Sequence, residues 1–393
     1  MASFSPETLI NDRSLRFGMR VVLWGTCDTG KPRVRILRDG LRANGVEVIE
    51  CRVDIWHRIQ DKSELHGFRR WAGLLLSILI AYPGLVWRYM KLPKHDWVLL
   101  GYPAIPDIFV IRFFAWLRKA DVAMDWFLSA YDTVILDRKL TQPWGPLAWA
   151  LRATEWIATR LPDRLFMDTQ AHARRMERLF SLPPGSCRSV WVGVEDHVFQ
   201  AQKAQTKARD PKSPLQVLFY GQFIPLHGVP TIVEAARLLE EEPVEWLLIG
   251  SGQEAPKVES MLEASPLPKL RWIKWVDYES LFKYIEKSDV CLGIFGISEK
   301  AASVIPNKVF QALFAGKPII TRDSPAIREL FGPKELPNVT VPAGDPKALA
   351  NSILRHISDK NISPIPITSF RKFTAPEIGL QLLEVLSHES CQL

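Results

Sequence analysis

A lysine in the first turn of a predicted helix suggests an anion-binding site. The stretch "VIPNKVFQALFAGKPII" (304–320) predicts a short helix with Asn307 as its N-cap and a stop at Gly316 and Pro318. Lys308 follows the cap, where the helix dipole already favours negative charge and a cation costs up to about 0.3–1 kcal/mol. A diphosphate at that helix end would bind both the amides and the ammonium. The alternative is that Lys308 bends away into water.

Two loops before this helix would let an anion or a ribose approach the backbone. One follows the predicted strand 215–220 and the other follows the predicted strand 245–250, and glycines allow close approach in both. Gln311 lies one helical turn beyond Lys308, where its amide is expected to reach a ribose hydroxyl. Each loop taken alone is equally well an ordinary turn. The candidate loop residues are Gly221, Gln222, His227, Gly228, Gly250 and Gly252.

A third glycine-rich loop lies near the N-terminus. In "WGTCDTGKPRVRIL" (24–37), the spacing from Gly25 to Lys31 is that of a phosphate-binding loop. Pro32 follows, however, and it offers no hydroxyl to Mg²⁺, which disfavours a nucleotide-triphosphatase. Asp28 and Lys31 are instead predicted to face a substrate, and the alternative is a plain tight turn.

Polar residues also follow two later strands of the N-terminal half. Tyr131, Asp132 and Asp137 come after the predicted strand 122–127, and His172 comes after 164–168. The carboxyl ends of parallel strands share one edge of a sheet, so these side chains are expected to contact an acceptor or a leaving group. A structural role is the alternative for the last segment, with Asp168 or Thr169 as a helix N-cap.

The sequence predicts neither a metal site nor a disulfide framework. No Asp-x-Asp pair occurs, and the 8 histidines lack metal-ligand spacing, so anionic charge would be met by amides, helix ends and Lys308. The 5 cysteines are odd in number and irregularly spaced. The N-terminus lacks an apolar signal segment, and we expect a cytoplasmic protein.

These loops are joined by an alternating pattern of strands and helices. Six short apolar runs between residues 20 and 192, and six more between 215 and 341, are separated by helical patterns. Such alternation predicts an α/β protein with two doubly wound, Rossmann-like domains facing across a cleft. The predicted bounds are 1–200 for the first domain and 213–372 for the second. A C-terminal helix in 373–393 is expected to pack back toward the N-terminal domain.

The net charge of +7 lies in one half of the chain. Residues 1–200 hold 28 Lys and Arg against 21 Asp and Glu, whereas the remaining residues hold 22 of each. An anionic membrane or a nucleic acid would suit this half, but it has no RNA- or DNA-binding motif. The segment 68–94 is apolar, flanked by Arg and Lys, and interrupted at Pro83, which predicts a helix lying on the inner face of the cell membrane. A buried core helix is the alternative, and a spanning helix is disfavoured.

The order of these motifs resembles the retaining glycosyltransferases of family 4, which have the GT-B fold. The similarity is strongest over 215–335, through "FYGQFIPLHGV", "LLIGSGQE", "WVDYESLFKYIEKSDVCLGIF" and "IPNKVFQALFAGKPIITRDSPAIREL". The chain departs from the family pattern at several positions. Gln222 and His227 replace Arg and Lys. Ser303 and Gln311 replace two glutamates, for which Glu299 is the nearest substitute. Tyr131 and Asp132 stand where the family has a histidine.

The resemblance implies a metal-independent hexosyl- or related transferase that needs no cofactor. It would move a sugar, with retention, from a nucleotide sugar to a lipid-linked or glycan acceptor near the membrane. Lys308, Asp132 and Tyr131 would be catalytic. Glu299, Asn307, Gln311 and the loop residues given above would bind the donor, whereas Asp28, Lys31, Asp137 and His172 would lie on the acceptor side. A catalytically silent scaffold and a nucleotide-sugar epimerase of the same fold are the alternatives.

Overall fold

The protein contains two parallel six-stranded sheets with helices on both faces. The computed structural model describes residues 18–55, 68–195, 213–358 and 372–387. In the first sheet the strand order is β2-β1-β3-β4-β5-β6 and every pairing is parallel. Its strands are β1 (Arg20–Gly25), β2 (Glu47–Arg52), β3 (Trp97–Leu100), β4 (Asp121–Asp125), β5 (Arg164–Met167) and β6 (Cys187–Ser189).

The helices of this domain form two layers. Four of them contribute buried apolar side chains to the core on one face of the sheet. The helix α1 (Pro32–Ala43) belongs to the core on the other face. The four are α2 (Phe68–Met90), α3 (Ile105–Arg118), α4 (Pro146–Ala158) and α5 (Gln170–Phe180). A π-helical turn, Asp132–Asp137, follows β4 and leads to the cleft.

The second sheet has the strand order β12-β11-β10-β7-β8-β9, again entirely parallel. Its strands are β7 (Leu215–Tyr220), β8 (Val244–Ile249), β9 (Leu270–Ile273), β10 (Val290–Leu292), β11 (Ile319–Arg322) and β12 (Thr340–Val341). The helices between them are α6 (Val229–Leu238), α7 (Ala255–Ala264), α8 (Tyr278–Lys287), α9 (Glu299–Ser303), α10 (Asn307–Phe314), α11 (Ile327–Leu330) and α12 (Leu336–Val339), with α13 (Pro346–Ser358) after β12.

The predicted fold class is confirmed. Each of the twelve predicted strands overlaps an observed one, because buried parallel strands are short apolar runs that helical patterns separate. One local expectation was wrong, since α2 continues through Pro83. The ring of Pro83 lies on the exposed face of α2. In the described part of the chain, no helix combines the length and apolar character needed to cross a bilayer.

The last helix, α14 (Ala375–Ser387), packs on the N-terminal domain. Gly40 of α1 and Gly379 of α14 lie so close that a Cβ on either would approach the other's backbone to within 3 Å. The Asn44 amide donates to the carbonyl of Pro376, and Gln381 accepts from the backbone N–H of Trp191. The chain therefore returns from the second domain to the first, where α14 shares a hydrophobic core with α1.

Candidate functional site

The Lys308 ammonium lies against the glycine loop at the carboxyl end of β7. The side chain is 5% exposed, and its Nζ sits 3.8 Å from the centroid of the Phe219 ring. A Cβ built on Gly221 would lie 2.9 Å from this nitrogen. Because Gly221 also has a φ of +137°, this position requires glycine. The helix α10 begins at Asn307 with Pro306 as its N-cap, so the expectation that Asn307 caps the helix was wrong by one residue.

Burial sets the protonation of the two basic groups beside Gly221. Burial holds the pKa of Lys308 well below its usual value, and Nζ is a buried nitrogen without a hydrogen-bond partner. Burial, and then the nearby Lys308, also holds the pKa of His227 well below its usual range. The Nδ1–H of His227 donates to the carbonyl of Gln222, which leaves Nε2 as the ring's acceptor. The site thus holds two bases that an anion would favour in their protonated forms.

Gln311 belongs to a chain of hydrogen bonds that runs from the buried Tyr220 to the partly exposed Tyr278. The hydroxyl of Tyr220 donates to Gln311 Oε1 at 3.1 Å, and Gln311 Nε2 donates to the Tyr278 hydroxyl at 3.1 Å. Tyr278 in turn donates to Glu195 at 3.4 Å, and Glu195 makes a bidentate pair with Arg35 at 2.6 and 2.7 Å. The amide of Gln311 therefore links α10 to residues of the N-terminal domain.

The loop after β8 supports the loop after β7. At Gly250, with a φ of +139°, a Cβ would lie 1.9 Å from the Gly221 carbonyl oxygen, so the two glycine loops touch. A Cβ on Gly252 would likewise lie 2.8 Å from the carbonyl oxygen of Phe223. The Phe223 ring stacks on Trp272 at 5.2 Å between centroids, and the Trp272 indole N–H donates to the Gly250 carbonyl at 2.8 Å. The stacked rings of Phe223 and Trp272 therefore pack against both loops and stabilise them.

The N-terminal domain faces this site with a buried carboxylate between two cations. Asp132 is fully buried and accepts from Arg175 at 2.7 Å, while Lys300 of the second domain lies 3.7 Å from its other oxygen. Burial alone would raise the pKa of Asp132, but Arg175 and then Lys300 hold it below its usual value. Conversely, burial lowers the pKa of Lys300, against the opposing charges of Asp132 and Asp137.

His172 and Asp168 form a second buried pair close to Asp132. Asp168 contacts His172 Nδ1 at 2.6 Å, and the opposite ring nitrogen, Nε2, is buried without a hydrogen-bond partner. The N-cap of α5 is Thr169, which accepts from the backbone N–H of His172. The alternative of Thr169 as an N-cap is thus correct, while Asp168 orients the imidazole.

Several of the predicted residues contribute to contacts between the domains. Asp137 accepts from the Ser298 hydroxyl at 2.7 Å, and Lys300 donates to the hydroxyl of Thr133. The side chain of Glu299 is 87% exposed and lies 3.4 Å from Arg175. The short helix α9 therefore inserts its first turn between α5 and the π-helical turn, and the two faces of the cleft are in contact.

The remaining predicted residues lie at the base of the cleft or in the core. Asp28 accepts from the backbone N–H of Gly30 at 2.9 Å, and Lys31 is the N-cap of α1. The ring of Tyr131 packs edge-on against Phe180 in the hydrophobic core. The neighbouring Asp132 instead lies between Arg175 and Lys300. The structure therefore brings together Lys308, His227, Gln222 and Gly221 on one side of the cleft, and Asp132, Asp137 and His172 on the other.

Arg138 is a cleft residue that sequence reasoning missed. Its guanidinium donates to Gln222 at 3.4 Å, and its backbone carbonyl accepts from Gln253 at 2.9 Å. Its Nε is buried and has no partner, and its charge contributes to the lowered pKa of His227. The signal was present in "SAYDTVILDR", where Arg138 ends the segment that carries Asp132 and Asp137. The sequence could not show that Arg138 lies next to Gln222, which is about eighty residues away along the chain.

The comparisons with known proteins agree with this geometry. A family profile described as "Glycosyl transferases group 1" matches residues 214–359, the part that contains β7 to α13. Sucrose-phosphate synthase from Thermosynechococcus elongatus superposes with a TM-score of 0.62 at 16% identity, over 94% of this chain and 98% of that one. The chain has the GT-B fold. The profile match supports a glycosyltransferase.

Two other GT-B structures superpose over the same extent. Anabaena HepE, solved with UDP, gives a TM-score of 0.63 at 12% identity over 94% of this chain and 99% of that chain. The lipopolysaccharide outer core galactosyltransferase WaaB, in its apo form, gives 0.58 at 12% identity with the same coverage. No curated protein sequence matches the chain. Within the described residues, no group of three or more His, Cys, Asp or Glu is arranged to hold a metal ion.

Proposed function

We propose that this protein is a glycosyltransferase that moves a sugar, with retention, from a nucleotide sugar to a membrane-proximal acceptor. The observation that carries the proposal is the buried amino group of Lys308, whose Nζ has no hydrogen-bond partner and lies against Gly221. A diphosphate approaching Gly221 would meet this nitrogen, the His227 ring and the N-terminal end of α10 together. HepE was solved with UDP and with UDP-glucose, which makes uridine nucleotides the first donors to test.

Stabilisation of the leaving group is the chemistry that these residues favour. As the C1–oxygen bond to the diphosphate breaks, negative charge grows on the bridging oxygen, and Lys308 with the α10 amides would stabilise it. In a retaining reaction the acceptor oxygen bonds to C1 on the same face, and its proton passes to the departing phosphate oxygen. Asp132 and His172 would orient the acceptor on the other side of the cleft, where the domain contacts exclude water.

An acceptor attached to the membrane is part of the proposal. The exposed face of α2 is apolar, with Leu76, Leu79 and Ile80 each more than half exposed. The opposite stripe, including Tyr82 and Leu85, is buried in the domain core. Such a helix could lie in a headgroup layer while remaining part of the fold, which suits a lipid-linked or glycan-precursor acceptor at the inner membrane face. The expectation that no metal is needed remains a prediction, which EDTA treatment during turnover would check.

The test is a Lys308→Ala variant assayed with a panel of UDP- and GDP-sugars, with and without membrane lipid. We expect the wild type to release nucleotide and the variant to lose release at least about a hundredfold, as for loss of a charged transition-state contact. Because the truncation also removes buried methylenes, Lys308→Met is the matched variant that separates loss of the amino group from loss of packing. Wild-type turnover from the variant would refute the role of Lys308. A wild type that binds a nucleotide sugar but neither transfers nor hydrolyses it would identify a silent scaffold, and isomerised sugar without acceptor would identify an epimerase.

A further inference from the structure

Large exposed apolar side chains are concentrated on one face of the N-terminal domain. Of the nineteen that the described residues expose, fifteen fall between positions 76 and 157, and all fifteen belong to α2, α3, α4 or the segment before α4. The three helices are neighbours, with α3 packed between α2 and α4. A concentration of exposed apolar side chains on adjacent helices is typical of an interaction site. The surface, here called the three-helix face, consists of Leu76, Leu79, Ile80, Trp87, Met90, Phe109, Phe113, Trp116, Leu117, Leu140, Trp144, Leu147, Trp149, Trp156 and Ile157.

Aromatic residues dominate the part of this face that lies outside α2. On α3, Phe109, Phe113 and Trp116 follow the i, i+4, i+7 spacing of a single helical stripe, and Trp116 is 65% exposed. Before and within α4, Trp144 and Trp149 are 94% and 76% exposed. Between α3 and α4 a groove of about 450 Å³ is lined by Phe109, Phe113, Trp116, Arg112, Ile157 and Leu161. Tryptophan at such density is characteristic of the bilayer interface, where one side of the ring is apolar and the other is wet.

The exposed charges carried by α2, α3 and α4 are cationic, and Asp163, which follows α4, is paired with Arg112 at 2.6 Å. Among the described positions of α2, α3 and α4, the acidic side chains are Asp107 and Glu155, and both are at most 1% exposed. Cations remain at the rim. Lys91 lies 3.5 Å from the centroid of the Trp87 ring, and the guanidinium carbon of Arg160 lies 3.9 Å from that of Trp156. Pairing a surface cation with an interfacial tryptophan places the charge at headgroup depth.

We propose that the three-helix face docks the protein on an anionic lipid bilayer, with the aromatic stripes of α3 and α4 inserted beside α2. Apolar insertion and attraction to anionic headgroups act together on such a surface. A second copy of the chain is the less suitable occupant, because a two-fold contact would bring the cationic rims of both copies together. The proposal rests on the proposed membrane-proximal function, and it adds that α3 and α4 hold the cleft at a fixed height above the lipid.

The experiment measures binding of the full chain to vesicles by flotation, without nucleotide. The vesicles contain either phosphatidylcholine alone or phosphatidylcholine with about a third phosphatidylglycerol. We expect the triple variant Phe113→Ser, Trp116→Ser, Trp149→Ser to lose at least about tenfold in affinity for the anionic vesicles. Leu238→Ser, which removes a side chain 52% exposed on the second domain, is the matched control and should bind like the wild type. Replacing Lys91, Arg152 and Arg160 by Gln should reduce binding to the anionic vesicles only.

Two further measurements make the result decisive. The triple variant should bind UDP like the wild type, because the three side chains belong to the N-terminal domain and the proposed UDP site lies on the second domain. Its unfolding midpoint should also be unchanged, because all three side chains are exposed. Unchanged vesicle affinity in the triple variant would overturn the proposal, and so would a wild-type dimer that the triple substitution dissociates. Vesicle binding without any transfer activity would instead contradict the proposed enzymatic function and leave the docking surface standing.

Discussion

At the scale of single residues, the buried surroundings of Lys308 lower the pKa of its amino group in the unliganded protein. From the sequence, the lysine looked like a full charge placed against the helix dipole. In the structure, its amine lies over Phe219 with a pKa far below that of a free lysine. The lowered pKa favours the neutral amine, which reduces the conflict with the dipole, and a bound anion would favour the charged form.

This arrangement predicts that the protein takes up a proton when it binds UDP. Burial lowers the pKa of Lys308 in the free protein, and a bound diphosphate would raise it, so the complex holds more protons at any pH between the two values. Calorimetric titration with UDP at about pH 8, where the nucleotide phosphates are already ionised, should give enthalpies that depend on the ionisation enthalpy of the buffer. A Lys308→Met variant, with an apolar side chain of similar length, should lose that dependence together with affinity. Equal enthalpies in all buffers for the wild type would contradict the prediction.

At the scale of elements, the sequence predicted the strands and their loops, which follow from hydrophobic periodicity. It did not predict which helix faces are exposed or how the domains meet, which depend on packing. The strands β7 and β8 and their glycine loops were predictable, because short apolar runs ending in glycine have few other interpretations. The exposed stripe of α3 was not, since "IPDIFVIRFFAWLR" is apolar on most sides and does not reveal which side faces the sheet. The contact between Arg138 and Gln222 depends on how two domains meet, which no local pattern encodes.

One carboxylate connects three elements of the N-terminal domain. Asp107, in the first turn of α3, accepts from the Thr26 backbone N–H at 2.7 Å, from the Thr26 hydroxyl at 3.0 Å and from the Tyr82 hydroxyl of α2 at 3.0 Å. Burial raises its pKa to about 7, although these hydrogen bonds oppose the rise. The carboxylate therefore connects α2 to the loop that follows β1.

The raised pKa predicts a dependence of stability on pH that an Asp107→Asn variant should remove. An unfolded aspartate has a pKa near about 3.9, so between about pH 4 and 7 the folded protein holds the proton that the unfolded chain releases. The contribution of Asp107 to the free energy of unfolding is thus full below that range and is lost as the pH rises through it. We expect Asp107→Asn to gain stability relative to the wild type between about pH 5 and about pH 8 in urea denaturation, because most of that window lies between these two values. The exposed substitution Asp277→Asn is the control, and an equal offset at both pH values would contradict the prediction.

At the scale of the whole molecule, the contacts across the cleft describe a closed arrangement of the two domains. Glu329 of α11 accepts from the backbone N–H groups of Gln170 and Ala171 at 3.0 and 2.7 Å, so a carboxylate of the second domain caps α5 of the first. Thr169 donates to the carbonyl of Ser303 close by. Together with the pair of Lys300 and Asp132, these contacts fix the position of one domain relative to the other. A site assembled from two domains requires such a fixed arrangement.

Arg138 connects these contacts between the domains to the glycine loop after β7 and gives the last prediction. It belongs to the N-terminal domain but reaches Gln222 in the glycine loop of the second domain, with a buried Nε that still lacks a partner. A diphosphate at Gly221 would give that nitrogen an acceptor, so Arg138→Gln should weaken UDP binding about ten- to a hundredfold, the range for a charged hydrogen bond. The neighbouring Lys139→Gln removes the same charge from an exposed side chain and should leave the affinity within about twofold. Titration calorimetry on both variants separates a direct contact from long-range attraction, because equal losses in the two would assign the effect to net charge and exclude Arg138 as a ligand of the diphosphate.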